Sequence, residues 1–383
     1  MDKEIIIIGA GIGGLTTALA LKQINKPVSV YESTSDIKPV GAGIVMANNA
    51  MQIFDKLGVR KKIEAAGCKI SNIRITDAQL NNISVINLKP FELKYGVYNL
   101  AIHRADLQKI LAEALGLQNI NLAKRLLKIE EDNNFKLYFE DGTTANCETL
   151  IGADGINSVV RNQLFKTGKI RDSKQRCWRG IMTIDETFKY KDTSIESWGK
   201  GKRFGFVKIS ETKLYWFAVI NKGLEEAISL VELFKEFHPD ILKIIEATAK
   251  EDIIYNEIAD LEPITQWYKS KACLLGDAAH ATTPNMGQGA CQAVEDAYTL
   301  ATLFQQEKSI EAIFSQFEQI RIKKAHFIVN TSWSLGKVAQ YENAFAIFLR
   351  NIFLKMLPNF FKKRQLNKVF NIDYITERAY KNS

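Results

Sequence analysis

Apolar residues along this chain run first in unbroken clusters, then at helical spacing, then in alternation, and the switches mark its elements. Four consecutive isoleucines, Ile5–Ile8, are too few for a helix and β-branched throughout, which predicts a fully buried strand. An Ala/Leu-rich stretch over residues 15–24 predicts a helix, and Val28–Tyr31 a second strand. Residues 48–57 read as helical. Residues 69–100 alternate over short runs (Ile73, Ile75; Ile83, Val85, Ile86), predicting antiparallel strands of a second sheet. A helix opens at His103-Arg104-Ala105-Asp106-Leu107 and runs to Leu115. Strands follow near 123–129 and 135–139, and Asp141-Gly142 turns the chain into another.

The rhythm repeats further on. An apolar strand ends in Gly152-Ala153-Asp154-Gly155, with Ser158 and Arg161 on a following helix. Residues 175–220 read as a meander of strands rich in aromatics, turning at Gly199-Lys200-Gly201 and Ser210-Glu211-Thr212. Alternation puts Arg203, Gly205 and Val207 on one face, and Tyr215, Phe217 and Val219 on one face. Such a sheet suits the floor of a pocket for an apolar or aromatic molecule, with Arg203 and Tyr215 as its polar tips; a core of large residues explains the pattern equally well. A buried strand then delivers Asp277, a loop shaped by Pro284, Gly287 and Gly289 follows, and residues 290–304 read as an amphipathic helix.

Glycines add chemistry to the first of these units. Gly9, Gly11 and Gly14 stand as G-x-G-x-x-G between strand and helix. The first allows a tight turn, the second lets backbone approach a pyrophosphate, and the third lets helix and strand pack closely. Glu32 ends the second strand at about the ~20-residue offset where a carboxylate reaches a ribose hydroxyl. The combination predicts the adenosine half of a dinucleotide site but does not separate NAD from FAD. Gly41 and Gly43 around Ala42 fit a plain loop or backbone laid against a flat ring. Arg104 is out of place in a helix's first turn, where the dipole disfavours cations.

Bulk properties narrow the class. With 383 residues, 46% hydrophobic and 25% charged, the sequence predicts a globular protein of one large domain or two. Five cysteines and four histidines lie scattered with no C-x-x-C, which argues against a zinc site or a disulfide framework and fits a reducing cytoplasm. The N-terminal apolar run is too short for a signal peptide, and no apolar run reaches the ~18 residues that span a bilayer.

Three patches, GAGIGG with Glu32, GADGINSVVR and LLGDAAHATTPNMGQGA, occur in one order. Together they strongly resemble the single-component flavoprotein monooxygenases, the aromatic hydroxylases related to para-hydroxybenzoate hydroxylase, over about residues 3–330. The KPVGAGI and HRADL stretches look most like the branch of salicylate, kynurenine and urate hydroxylases and zeaxanthin-type epoxidases. The resemblance implies an α/β fold in which a Rossmann-like FAD domain (1–70, 101–174, 262–330) interleaves with a mixed or antiparallel substrate sheet (71–100, 175–261), followed by C-terminal helices (331–383). It implies that Gly9, Gly11, Ile12 and Gly14 cradle the FAD pyrophosphate and Glu32 the ribose. Gly43 and Ile44 would lie near the isoalloxazine, Arg104 at the phosphate or ribityl region, and Leu126 near the adenine. Asp154 would serve FAD and the reducing nicotinamide, Asp277 the ribityl chain, and Pro284, Gly287, Gln288 and Gly289 the flavin ring.

The implied reaction uses NADH or NADPH and O₂ to hydroxylate or epoxidise an electron-rich small molecule through a C4a-hydroperoxyflavin. With no second G-x-G-x-x-G, the nicotinamide is expected to bind transiently. No catalytic base and no metal ligand is assigned, and His280 reads as an ordinary buried histidine. Two departures from the family stand out: Ser33 follows Glu32 where arginine is common, and Asn285 stands where several relatives carry aspartate, which puts urate-like specificity in doubt. A saturating reductase, a halogenase and a non-catalytic flavin-binding accessory protein are the rival readings; no W-x-W-x-x-I-P supports the halogenase. No nucleic-acid partner is expected.

The tail adds one question. Residues 344–372 hold no acid but several lysines and arginines, and Phe345, Phe348, Leu349, Ile352, Phe353 and Met356 recur at helical spacing. They fit an interfacial helix drawn to anionic lipid at the inner membrane face, or a helix docked on the core with its basic face in solvent; spacing fits both, and the docked helix is the plainer expectation.

Overall fold

The structure is a computed structural model that describes residues 4–37, 42–224 and 229–381. The start of the KPVGAGI stretch, including Gly41, lies outside those residues. The four isoleucines form the predicted strand, Ile5–Ile8, buried throughout because it sits inside a six-stranded sheet with neighbours on both edges. That sheet runs Tyr268–Lys269, Ala272–Leu274, Thr149–Gly152, Ile5–Ile8, Val28–Tyr31, Ile120–Asn121, parallel except for its first pair. Helices Ile12–Gln23 and Gly289–Phe304 pack on each other beside it. Segments from the beginning, middle and end of the chain are therefore hydrogen-bonded neighbours.

The alternating regions build a seven-stranded sheet in the order Ile254–Leu261, Ile170–Thr183, Lys213–Asn221, Lys202–Ser210, Thr193–Trp198, Asn72–Asp77, Asn82–Asn87. Its pairings are antiparallel except between Thr193–Trp198 and Asn72–Asp77. In this register Arg203 faces Val219, Gly205 faces Phe217 and Val207 faces Tyr215, so the two triplets assigned to single faces share one face of the sheet. The opposite face packs a separate aromatic core, with Trp216 stacked on Phe204, and beneath it Phe234 and Phe237 from the turn between two short helices and Ile241 from the second. The structure therefore has the α/β architecture the sequence predicts, with several sheets and C-terminal helices.

Three expectations need correction. Residues 69–100 are not all strand: Lys89–Tyr95 is a helix, with proline in its first turn and Gly96 at its left-handed C-cap. The helix Gly289–Phe304 is not amphipathic but buried nearly all round. Its Glu295 and Asp296 point inward to meet cations from the long helix Ile310–Ala339. The tail helix Ala344–Met356 does not dock its apolar stripe on the core. Only Arg350 is buried there; it donates to the carbonyls of Val338 and Ala339 and lies over the Trp198 ring.

Candidate active site

Where the first strand meets its helix, geometry leaves no room for side chains. Gly9 has φ +104°, and a Cβ on Gly14 would overlap the Gly9 carbonyl oxygen. Gly11, by contrast, faces open space. It caps the helix Ile12–Gln23, which has no side-chain cap and no acid in its first turn. Helix Gly289–Phe304 likewise begins without a side-chain cap or an acid. Both N-termini border one cavity of about 580 Å³, so two sets of unfilled amide donors, each at a positive dipole end, converge on the same space.

That cavity gathers most of the residues singled out in the sequence: Gly11, Ile12, Gly43, Ile44, Arg104, Asp277, Pro284, Gly287, Gln288 and Gly289, together with Arg203 and Tyr215 from the seven-stranded sheet. Gly43 is the hinge between the two groups, since a Cβ there would run into the Tyr215 ring. Arg104 sits in the first turn of Arg104–Leu115, at the end of a strand paired with Gly43–Met46, and so reaches the cavity wall.

Five predicted residues lie elsewhere. Gly9 and Gly14 shape the turn from behind. Glu32 accepts the Ala10 amide at 2.7 Å and bonds from Ser33 and Thr34; burial works to raise its carboxyl, but these donors outweigh it and hold the group below the usual range. Leu126 is a buried strand residue opposite Phe139. Asp154, the fifth, is turned away from the cavity. Its carboxylate caps the next helical turn, accepting Ser158 Oγ at 2.5 Å, Val159 N at 2.7 Å and Val160 N at 3.1 Å, while burial pushes its pKa up. Ala153, Gly155 and Ile156 of the same motif do line the cavity.

The sheet end of the cavity is made of side chains. Arg203, 2% exposed, donates from Nη1 to Glu196 Oε1 at 3.0 Å and from Nη2 to Asn285 Oδ1, while its Nε has no partner. Glu196 is steadied by Trp198 Nε1 at 2.9 Å, and Asn285 by its own donations to Thr283 Oγ1 and the Ser332 carbonyl, at 2.9 and 2.8 Å. Tyr215, Phe217, Val219 and Ile258 supply the apolar surface, with Arg179 and Asn256 beside them. Burial pushes the Tyr215 phenol well above its ordinary range, with only partial relief from Arg179, so it stays protonated. Sequence reasoning missed Arg179, Glu196 and Asn256; only sheet register places them here.

Behind Gln288 lies a buried polar network. Asn49 donates to Gln288 at 3.1 Å and to Glu295 at 2.6 Å; Arg321 binds Glu295 and Asp296 at 2.6 and 2.7 Å; Lys324 binds Glu295 at 2.9 Å. His280 belongs to this network, 2.6 Å from Asp296 and tilted over the Trp267 ring, and takes no part in the cavity wall. His280 and Arg321 hold Asp296 at about 2 against the opposing effect of its burial.

A Rossmann-type glycine turn, two open helix N-termini and a second sheet closing the cavity define a flavin-dependent oxidoreductase. The chain belongs to the FAD binding domain family, whose sequence profile matches residues 2–319. It is 36% identical to the aurachin C monooxygenase/isomerase of Stigmatella aurantiaca, over 93% of this chain and 94% of that one. It is 29% identical to the 2-heptyl-3-hydroxy-4(1H)-quinolone synthase of Pseudomonas aeruginosa, over 96% and 97%. The crystal structure of Klebsiella pneumoniae HpxO complexed with FAD and uric acid superposes with a TM-score of 0.88 at 28% identity, over 97% of this chain and 96% of that one. This protein is an FAD-dependent monooxygenase of that family.

Proposed function

We propose that the enzyme uses NAD(P)H and O₂ to hydroxylate a planar N-heteroaromatic compound that carries a carbonyl or hydroxyl oxygen. The observation behind this is Arg203, a buried wall residue with one carboxylate partner and an unpartnered Nε, set beside Tyr215 and Phe217. A buried guanidinium with a spare donor favours a ligand oxygen that accepts, and the aromatic wall favours a flat ring. Asn285 holds Arg203 without adding a second negative charge to the one Glu196 supplies. A quinolone-type ring, as in the name of the Pseudomonas relative, meets both requirements.

FAD fits the residues present: the Gly11 to Gly14 turn would hold its pyrophosphate, Arg104 and Asp277 its linking chain, and Pro284 to Gly289 its ring. Bound there, FAD supplies two-electron transfer and activation of O₂. The chain's own work is positional and electrostatic. The Gly287 amide is taken up by the Pro284 carbonyl, so amides at Gln288 and Gly289, backed by the helix dipole, would stabilise negative charge at the ring edge. Arg203 and Glu196 orient the substrate oxygen, and the neutral Tyr215 phenol offers a donor whose proton is retained. Phe217, Val219 and Ile258 keep water from the reacting face.

The test is consumption of NADH and NADPH in air by the flavin-loaded protein across quinolones, hydroxypyridines, purines and simple phenols. Acceleration by the first two classes, with the oxygenated product recovered, is expected. Acceleration by purines alone, or by none, would overturn the proposed substrate class.

A further inference from the structure

The face made by the last helices has no counterpart inside the protein. On helix Ala344–Met356 the stripe Phe345, Phe348, Leu349, Ile352, Phe353 and Met356 points outward, with Phe345 68% and Met356 76% exposed. The next helix, Asn359–Phe370, adds Phe360 at 67% and Phe361. Neighbouring elements extend it. Helix Ala344–Met356 lies against strand Asn82–Asn87, which exposes Val85, and Asn359–Phe370 is tied through Asn367 to Lys94 and Tyr95 of a helix that exposes Leu93 at 74%. An outward apolar surface of this size is far outside what a solvated face requires.

Its orientation is built in. Arg350, on the other side of the same helix, is held by two carbonyls and the Trp198 ring, so the helix cannot roll its phenylalanines inward without breaking those contacts. Charge follows the apolar surface closely. Lys355, Lys362, Lys363, Arg364 and Lys368 lie within residues 344–372, a span with no acid. Beside them a groove of about 740 Å³ is lined by Lys323, Arg364, Lys368 and Arg378, with Lys324 turned to Glu295, and among the described residues no carboxylate lines it.

We propose that this face docks on the surface of an anionic lipid bilayer, phenylalanines in the acyl boundary and the basic groove on lipid phosphates. The charge selects this occupant: a basic rim around an apolar face matches an anionic interface, whereas two copies of the same face would bring like charges together. The mode is surface attachment. No single helix among the described residues is long and apolar enough to cross a membrane, and the two tail helices meet at 87°. With 13 and 12 residues, at about 1.5 Å each, both fall short of a ~30 Å hydrocarbon core.

The experiment is flotation of the flavin-loaded protein with phosphatidylcholine vesicles and with vesicles rich in phosphatidylglycerol, and it needs no turnover, so its outcome is separate from that of the substrate proposal. Binding to the anionic vesicles at low salt is expected, falling at least about tenfold on the neutral ones, at about 0.5 M salt, or with Lys362→Glu/Lys363→Glu. Phe348→Ser/Phe353→Ser, altered only at exposed positions, should lose binding while keeping its visible spectrum and melting temperature. No binding of the parent protein to anionic vesicles at low salt would overturn the proposal. So would unchanged binding of both variants, or a concentration-dependent dimer that the phenylalanine variant abolishes, which would assign the face to a second copy.

Discussion

The two ends of the cavity are built by different means. At the nucleotide end the working groups are backbone amides: glycines clear the space, two helix N-termini supply the donors, and side chains matter chiefly by being absent. At the sheet end the working groups are side chains: Arg203, Glu196 and Tyr215, placed by strand register, and Asn285, 82 residues from the Arg203 it meets and fixed by its bond to the Ser332 carbonyl. A backbone site tolerates any sequence that keeps its glycines, so it can serve a fixed cofactor. A side-chain site changes with single substitutions, so it can serve a variable substrate.

The largest expected effect lies behind the nucleotide end. Arg321→Leu would remove the cation that buried Glu295 and Asp296 share, leaving Lys324 on the first and His280 on the second, and removing one partner of a buried pair costs about 3–5 kcal/mol. Denaturant unfolding should show it; an unchanged midpoint would mean the network carries no weight. The same network sets an acid limit. Asp296 is held below its unfolded value, so its contribution is present above about pH 4 and is lost as pH falls through about 2. Weakening its cation partners should move that loss to higher pH, measurable as the acid midpoint.

Gly14→Ala comes next, because its Cβ would overlap the Gly9 carbonyl. FAD affinity should fall about a hundredfold, or ~2.7 kcal/mol, in a titration of the apoprotein. Arg203→Met should leave FAD affinity within about twofold, yet lower kcat/KM about 10- to 100-fold, the loss of a charged hydrogen bond worth ~1.5–3 kcal/mol. Equal damage to FAD binding would erase the distinction between the two ends. Tyr215→Phe should be the mildest change, costing at most about tenfold in kcat/KM.

The same contrast explains what the sequence made legible. Gly9, Gly11 and Gly14 report local geometry, and local geometry is written in spacing; the strands on either side and the first helix follow from it, whereas the place of Asp277 and Gly287 came from the resemblance to the flavoprotein monooxygenases. Arg203 and Tyr215 were readable as one-face residues by alternation, because a strand's period is fixed. Glu196, Arg179 and Asn256 were not, since nothing local says which strands adjoin. The amphipathic reading of residues 290–304 failed for a related reason: Glu295 and Asp296 are buried because cations on another helix meet them, and nothing local shows those cations. The tail's outward stripe was ambiguous by spacing and was decided by Arg350, whose carbonyl partners lie one helix earlier.

One measurement bears most directly on the whole account: the visible spectrum of the purified protein, followed by turnover of a stimulating quinolone or hydroxypyridine with NAD(P)H under isotopically labelled dioxygen. The account predicts bound flavin and one labelled oxygen atom in the ring product. Product oxygen drawn from water, or a protein that takes up no FAD on reconstitution, would contradict it.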